Sequence, residues 1–211
     1  MKLNLCSTLV KTVLVPPRRP VQRRAARRRD SLLDAAARLL ASEGYEAITT
    51  NAIAREAGAA VGTVYDYFPN KEAVLAALLE RYRQRLEQLL LRTLADAGKA
   101  DVDTLVDRGV RAFARFYREE TGYAELWLGS QLTGPLREVG QAWGERFGEL
   151  LGALVAERLG LPLARARVVA LTFVHAVSAV VTLALGHPDE REALVDEAVA
   201  LGQGYLRQAS G

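Results

Sequence analysis

Gly62, Thr63, Tyr65 and Tyr67 fall on the outer side of a short helical run inside the stretch TTNAIAREAGAAVGTVYDYFPNK, residues 49–71. Hydroxyls and a bare backbone at this spacing suit hydrogen bonding in a groove of duplex DNA. Bond-making chemistry finds little support. His175 and His187 are the only histidines, and no HExxH motif or phosphate-binding Gly loop after a strand occurs. Cys6 is the single cysteine, so the chain has no intramolecular disulfide framework and no thiolate metal cluster. Carboxylate pairs such as Glu119-Glu120 read as solvated helix ends. The sequence therefore predicts a protein that is not an enzyme and carries no cofactor or metal.

The elements that must position those outward residues are legible around them. Thr49 can cap a first short helix, because its hydroxyl can accept from an N–H two or three residues on. Ile53, Ala54 and Ala57 then share one face, and small Ala54 allows a neighbouring helix to cross closely. Gly58 stands where the chain must leave that helix, with positive φ expected. The second helix covers 61–67, and Val64 and Phe68 point inward. This order is a helix-turn-helix, whose second helix is shaped for the major groove. Upstream, Leu32, Leu33, Ala36, Leu39 and Leu40 repeat at helical spacing until Gly44 stops them. Downstream, Asn70 can cap a helix opening with Lys71 and Glu72 and continuing through Leu75, Leu78 and Leu79.

The runs LLDAAARLLASEGYEAITTNAIAREAG and VGTVYDYFPNKEAVLAALL resemble the N-terminal domain of the tetracycline-repressor (TetR) family of bacterial transcription regulators. The resemblance covers roughly residues 28 to 80. It implies that Thr50 contacts a phosphate and that Asn51 reaches a base or the backbone. It also implies that Val61, Gly62, Thr63 and Tyr65 face the groove while Tyr67 and Lys71 bind phosphates. Two positions depart from the family pattern. Ala60 stands where Ser is frequent, and Val61 where a polar or charged residue is frequent. Val61 is left to pack on a thymine methyl, and Asn51, Thr63 and Tyr65 become the better candidates for direct readout.

Charge gives a separate argument. The chain has 28 Lys and Arg against 25 Asp and Glu, a net +3. Nine of those cations, among them Arg23, Arg24, Arg27, Arg28 and Arg29, fall in residues 1–29, where no acid occurs. A basic extension thus precedes an acidic remainder. PPRRPVQRRAARRR cannot bury apolar surface, so residues 1–27 are expected to be disordered or extended. Arg24, Arg27 and Arg28 are expected to follow the DNA backbone or enter a narrow minor groove; the plainer reading is a solvated linker. Residues 1–15 are not expected to form a secretion signal, since Lys11 breaks the apolar run and Pro-Pro-Arg-Arg follows. No run reaches the ~18 uninterrupted apolar residues of a membrane span, and 171–185 comes nearest. A soluble, cytoplasmic, nucleoid-associated protein is expected.

Beyond residue 70 the pattern is helical with no strand-like alternation, so the fold class is all-α. A DNA-binding domain over 28–74 is expected to join, through one long helix, a helical body over 75–211. Helices are expected to about Ala97, after an Asp101 or Asp103 cap, over 122–132, 135–159 and 163–185, and from about Asp189 to Arg207. The run 163–185 is apolar nearly all round and needs burial on every side. A homodimer through the last two helices would supply that burial and let two recognition helices read a palindromic operator; a monomer with these helices as core is the alternative. The resemblance further implies a pocket for an apolar or amphipathic effector among the middle helices. Its candidates are Phe113, Phe116, Tyr117, Trp127, Trp143, Phe147, Phe173 and His175, with Glu125 and Gln131 as further polar groups. Ordinary core is the competing reading for each aromatic. The expected function is a sequence-specific regulator, more often repressing, that leaves its operator on effector binding. The alternative is a nucleoid-associated or division-control DNA-binding protein without an effector.

Overall fold

The computed structural model describes residues 20–97, 100–130 and 134–211, with side chains for all of these except 20–22, 96–97, 130 and 134–143. The described residues form α1 (Pro20–Glu43), α2 (Thr50–Glu56), α3 (Val61–Tyr65), α4 (Lys71–Ala97), α5 (Val102–Glu119), α6 (Tyr123–Ser130), α7 (Gly134–Leu159), α8 (Leu163–Leu185) and α9 (Arg191–Ser210).

Leu32, Leu33, Ala36, Leu39 and Leu40 of α1 are buried together with Ile53, Val64, Leu75 and Leu78, which makes one core for the head. Gly44 ends α1 at φ 81° and Gly58 ends α2 at φ 60°, where any side chain would be strained. Asn70 Oδ1 accepts from the Ala73 amide at 2.8 Å and caps α4. At 1.5 Å per residue α4 is about 40 Å long, so it carries Leu75 and Leu78 in the head and Leu86 and Leu90 in the body.

The basic extension differs from its expectation. Residues 20–27 are not disordered or extended; they are the first two turns of α1, starting at Pro20. Arg and Ala are strong helix formers, and once the Leu32–Leu40 segment is folded each further residue joins without a new nucleation cost. Residues 1–19 lie outside the described residues.

In the body, Asp101 caps α5 through its Oδ1, which accepts from the Thr104 amide at 2.7 Å. The last helix begins two residues later than expected, because Pro188 and Asp189 form a turn closed by the Glu190 amide on the His187 carbonyl. α8 packs between α7 and α9. Glycines on α7 let it approach α8 closely. A Cβ at Gly148 would lie 2.4 Å from Leu171 Cδ2, and one at Gly152 3.2 Å from Arg167 Cα. By length and composition α8 could cross a bilayer, which a count of uninterrupted apolar residues does not anticipate. Only 33% of its most apolar window is buried within the protomer.

Head and body meet through α6 as well as α4. Gly122, at φ 72°, lies so close to α1 that a Cβ there would stand 2.4 Å from the Ala37 carbonyl oxygen. Gly129 sits under the Tyr45 ring, 2.2 Å from Cβ to Cδ2 had it a side chain. The Tyr82 hydroxyl of α4 donates to the Thr121 carbonyl at 2.5 Å. Arg81 of α4 pairs with Asp34 of α1 at 2.6 Å, and Arg85 pairs with Glu120.

Candidate nucleic-acid interface and body cavity

The Thr49 hydroxyl accepts from the Ala52 amide at 3.0 Å, fixing where α2 begins. The Ala59 amide returns to the Ala54 carbonyl at 2.9 Å and turns the chain toward α3. Ala60 precedes α3 with extended backbone and offers no side-chain cap. Val64 and Phe68 anchor α3 in the core, at 0% and 3% exposure. Their burial turns Val61 and Tyr65 outward, at 36% and 54% exposure. Gly62 is exposed, while Thr63, Tyr67 and Lys71 are half-buried.

Thr50 opens α2 and its hydroxyl lies 3.2 Å from that of Tyr65 on α3, near enough for either to donate. Two residues expected to contact DNA independently are therefore joined across the two motif helices. One hydroxyl donates to the other, so the one that accepts keeps its O–H free to donate to a phosphate oxygen. Asn51 is exposed on α2 and shares its face with exposed Arg55, four residues on. Arg55 is not among the residues expected from sequence, although its i, i+4 spacing from Asn51 is the available signal. Arg38 of α1 ties down the end of α2 through Glu56 at 2.6 Å.

Arg24, Arg27 and Arg28 are exposed on the first turns of α1. The guanidinium of the adjacent Arg29 stands 5.4 Å from the Phe68 ring centroid, a cation–π distance. Phe68 directly follows Tyr67 and lies three residues before Lys71, so the basic turn of α1 and the Tyr67–Lys71 corner are neighbours.

The body holds an apolar cavity of about 100 Å³ between α4, α5, α7, α8 and α9, walled by residues such as Leu90, Val106, Phe113, Phe147, Phe173 and Val177. Three of the eight expected pocket residues, Phe113, Phe147 and Phe173, line it. Phe116, Tyr117 and Trp127 do not. They join Tyr82 and Tyr123 in an edge-packed aromatic cluster beside α6, with Tyr123 4.7 Å from Tyr117, 5.1 Å from Phe116 and 5.3 Å from Tyr82 between centroids. Trp127 stacks on Tyr123 at 6.4 Å. Phe113 belongs to both groups, since its ring meets Tyr117 edge-on at 4.8 Å. His175 is exposed on the far side of α8, beside the backbone of Gly144. Helical periodicity assigns these residues to helices without saying which flank of the body each faces. The side chains of Trp143 and Gln131 lie outside the described residues, and Glu125 is half-buried on α6.

Burial raises the phenols of Tyr82, Tyr117 and Tyr123 above the usual tyrosine range, so all three stay neutral at physiological pH. The Tyr117 hydroxyl is buried without a hydrogen bond of good geometry, although those of Tyr123 and Thr182 are nearby. The described residues contain no group of His, Cys, Asp and Glu able to hold a metal.

Known proteins share this arrangement. The family described as "Bacterial regulatory proteins, tetR family" matches residues 32–78, and "Tetracyclin repressor-like, C-terminal domain" matches residues 101–206. The transcriptional repressor KstR of Rhodococcus jostii is 43% identical over 60 residues, 28% of each chain. The fatty acid metabolism regulator protein of Bacillus subtilis is 37% identical over 65 residues, 31% of this chain and 32% of that one. The chain thus spans about three-tenths of the length of the curated relatives it matches. A TetR-family regulator of Streptomyces coelicolor superposes with a TM-score of 0.69 at 28% identity, over 86% of this chain and 99% of that one. A Rhodococcus transcriptional regulator gives 0.71 at 19% identity, over 85% and 96%, which speaks to the fold alone. With head and body both matched, and the body match alone spanning half of the sequence, the chain belongs to the TetR family of helix-turn-helix transcriptional regulators and is not an enzyme.

Proposed function

We propose that this regulator acts in the cytoplasm as a homodimeric repressor, occupying a palindromic operator and leaving it when a small apolar or amphipathic molecule enters the body cavity. The observation that carries the reading is physical continuity. The cavity wall at Phe113 touches Tyr117, Tyr117 touches Tyr123, and Tyr123 opens α6, the helix seated on α1 of the head. A ligand that fits better when α5 and α6 are displaced lowers DNA affinity by its preference for that state.

At the DNA, Thr50, Tyr65, Tyr67 and Lys71 take phosphates or the groove wall, and Asn51 and Thr63 reach base edges. Val61 and Gly62 allow close approach to a thymine methyl and the backbone. Arg24, Arg27 and Arg28 extend the phosphate contacts along α1. The dimer forms through α8 and α9. Exposed Val168, Thr172, His175, Ala179 and Leu183 make one stripe along α8, and Ala200, Leu201 and Gly204 continue it on α9. Val168, Leu183 and Leu201 are 61%, 50% and 46% exposed in the protomer, a cost in water that a second copy removes.

Selection of bound sites from a random duplex pool at near-physiological salt tests the proposal. A palindromic consensus with half-sites about a helical turn apart is expected. Recovery of no consensus, with affinity that collapses as salt rises, favours a DNA-coating protein instead. The arginines of α1 and the apolar Ala60-Val61 pair are the features that would serve that second role.

A further inference from the structure

The room in the body cavity lies on the α5 side. Gly109 shares a face of α5 with Val106 and Phe113, and all three line the cavity. A Cβ at Gly109 would meet nothing within 4 Å, whereas one at Gly202 of α9 would stand 2.7 Å from Phe173 Cε2 and 3.0 Å from Val106 Cγ1. Among the described wall residues, Ser178 of α8 and Arg158 of α7 carry the polar side-chain atoms, and the rest are Leu, Val, Phe and glycine. Arg158 is committed to the fold: its Nη1 donates to the Ala100 carbonyl at 3.0 Å and ties the end of α7 to the start of α5.

We propose that the cavity takes a compact, uncharged, hydrocarbon-like guest, the size of one ring or a short chain, with no head group held inside. This rests on the reading of the cavity as the effector site. The volume is about 100 Å³. A carbon-lined cavity of roughly 150 Å³ holds benzene, so a one-ring guest fills this one and presses on its wall. Entry removes apolar surface from water and gains dispersion contacts with Leu, Val and Phe side chains. A hydroxyl, carboxylate or ammonium would instead leave its hydration shell for carbon, at a cost that rises steeply with charge. The wall thus selects against head groups. Pressure on the Phe113 ring, which meets Tyr117 edge-on at 4.8 Å, passes occupancy on to the aromatic cluster beside α6.

Sealed-cell calorimetry on the full-length protein with toluene, benzyl alcohol, benzoate and benzylammonium tests the guest class, since the four share one ring and differ in head group. Toluene is expected to bind, benzyl alcohol roughly tenfold more weakly, and both ions at least about a hundredfold more weakly. Gly109→Leu places a helix-favouring side chain in the open part of the cavity and is expected to suppress toluene binding at least tenfold. Benzyl alcohol or either ion binding as tightly as toluene would overturn the hydrocarbon guest and leave an effector cavity standing. Failure of toluene to bind the wild-type protein would overturn it too. Undiminished binding to Gly109→Leu would place toluene elsewhere and overturn the inference at its site. The effector reading is tested apart, by toluene added to the complex with a site-selected duplex. Release supports both readings, whereas binding without release keeps the guest class and overturns the effector role.

Discussion

Thr50 and Tyr65 act as a pair whose hydroxyls are 3.2 Å apart, so the start of α2 and the exposed face of α3 are aligned before DNA arrives. Such pre-alignment lowers the ordering cost of binding. In the proposed complex Asn51 and Thr63 discriminate bases, since Ala60 and Val61 offer no side-chain hydrogen bond. Asn51→Ala and Thr63→Ala are each expected to cost about 1–3 kcal/mol at the preferred site. Binding to unrelated duplex should be unchanged, so competition titrations with specific and non-specific DNA separate the outcomes. If neither variant alters specific affinity, base readout is wrongly assigned. Thr49 and Gly58 are legible from sequence because capping and positive φ are local properties. The Thr50–Tyr65 pair is not, since it depends on how α2 crosses α3.

At the scale of elements, α1 is both a core helix and the carrier of Arg24, Arg27 and Arg28. Removing these three charges together should reduce the steepness of the log affinity against log salt plot by about 0.9 for each phosphate they neutralise. An unchanged slope would make the basic turns a solvated helix end. The cluster shared by α4, α5 and α6 makes a prediction at alkaline pH. Tyr82, Tyr117 and Tyr123 are held neutral by burial, their folded pKa values lying above the unfolded value of about 10. Stability from this cluster is complete below that pH and declines above it, because the unfolded chain ionises first. Thermal unfolding followed from neutral pH to pH ~11 should show the midpoint falling, less steeply in Tyr123→Phe.

For the whole molecule, the exposed stripe on α8 and α9 predicts association. Val168→Glu or Leu183→Glu should yield a folded protomer that sediments as a monomer at micromolar concentration. It should also lose most of its preference for a two-half-site operator, because a single five-residue recognition helix reads too little DNA alone. Wild-type protein sedimenting as a monomer under the same conditions would refute the assembly outright. In the proposed dimer, α6 bracing would let a small cavity govern two distant heads. Each head is held by α4 and by the Gly122 and Gly129 contacts, so a shift of the body cannot leave it unmoved.

Sequence alone determined the helix-turn-helix, its caps, the long α4 and the bounds of α8, because each follows from interactions within a few residues of chain. It also marked Phe113, Phe147 and Phe173 as candidates, but could not separate them from Phe116, Tyr117 and Trp127. All six recur at helical spacing, and spacing fixes a position on one helix without fixing what lies opposite. Only the tertiary structure put the first three on a cavity and the others on the α6 brace, and turned His175 outward. It also showed that the Arg-rich turns prolong α1, since a helix extended from an anchored core avoids the nucleation cost that an isolated basic segment would meet.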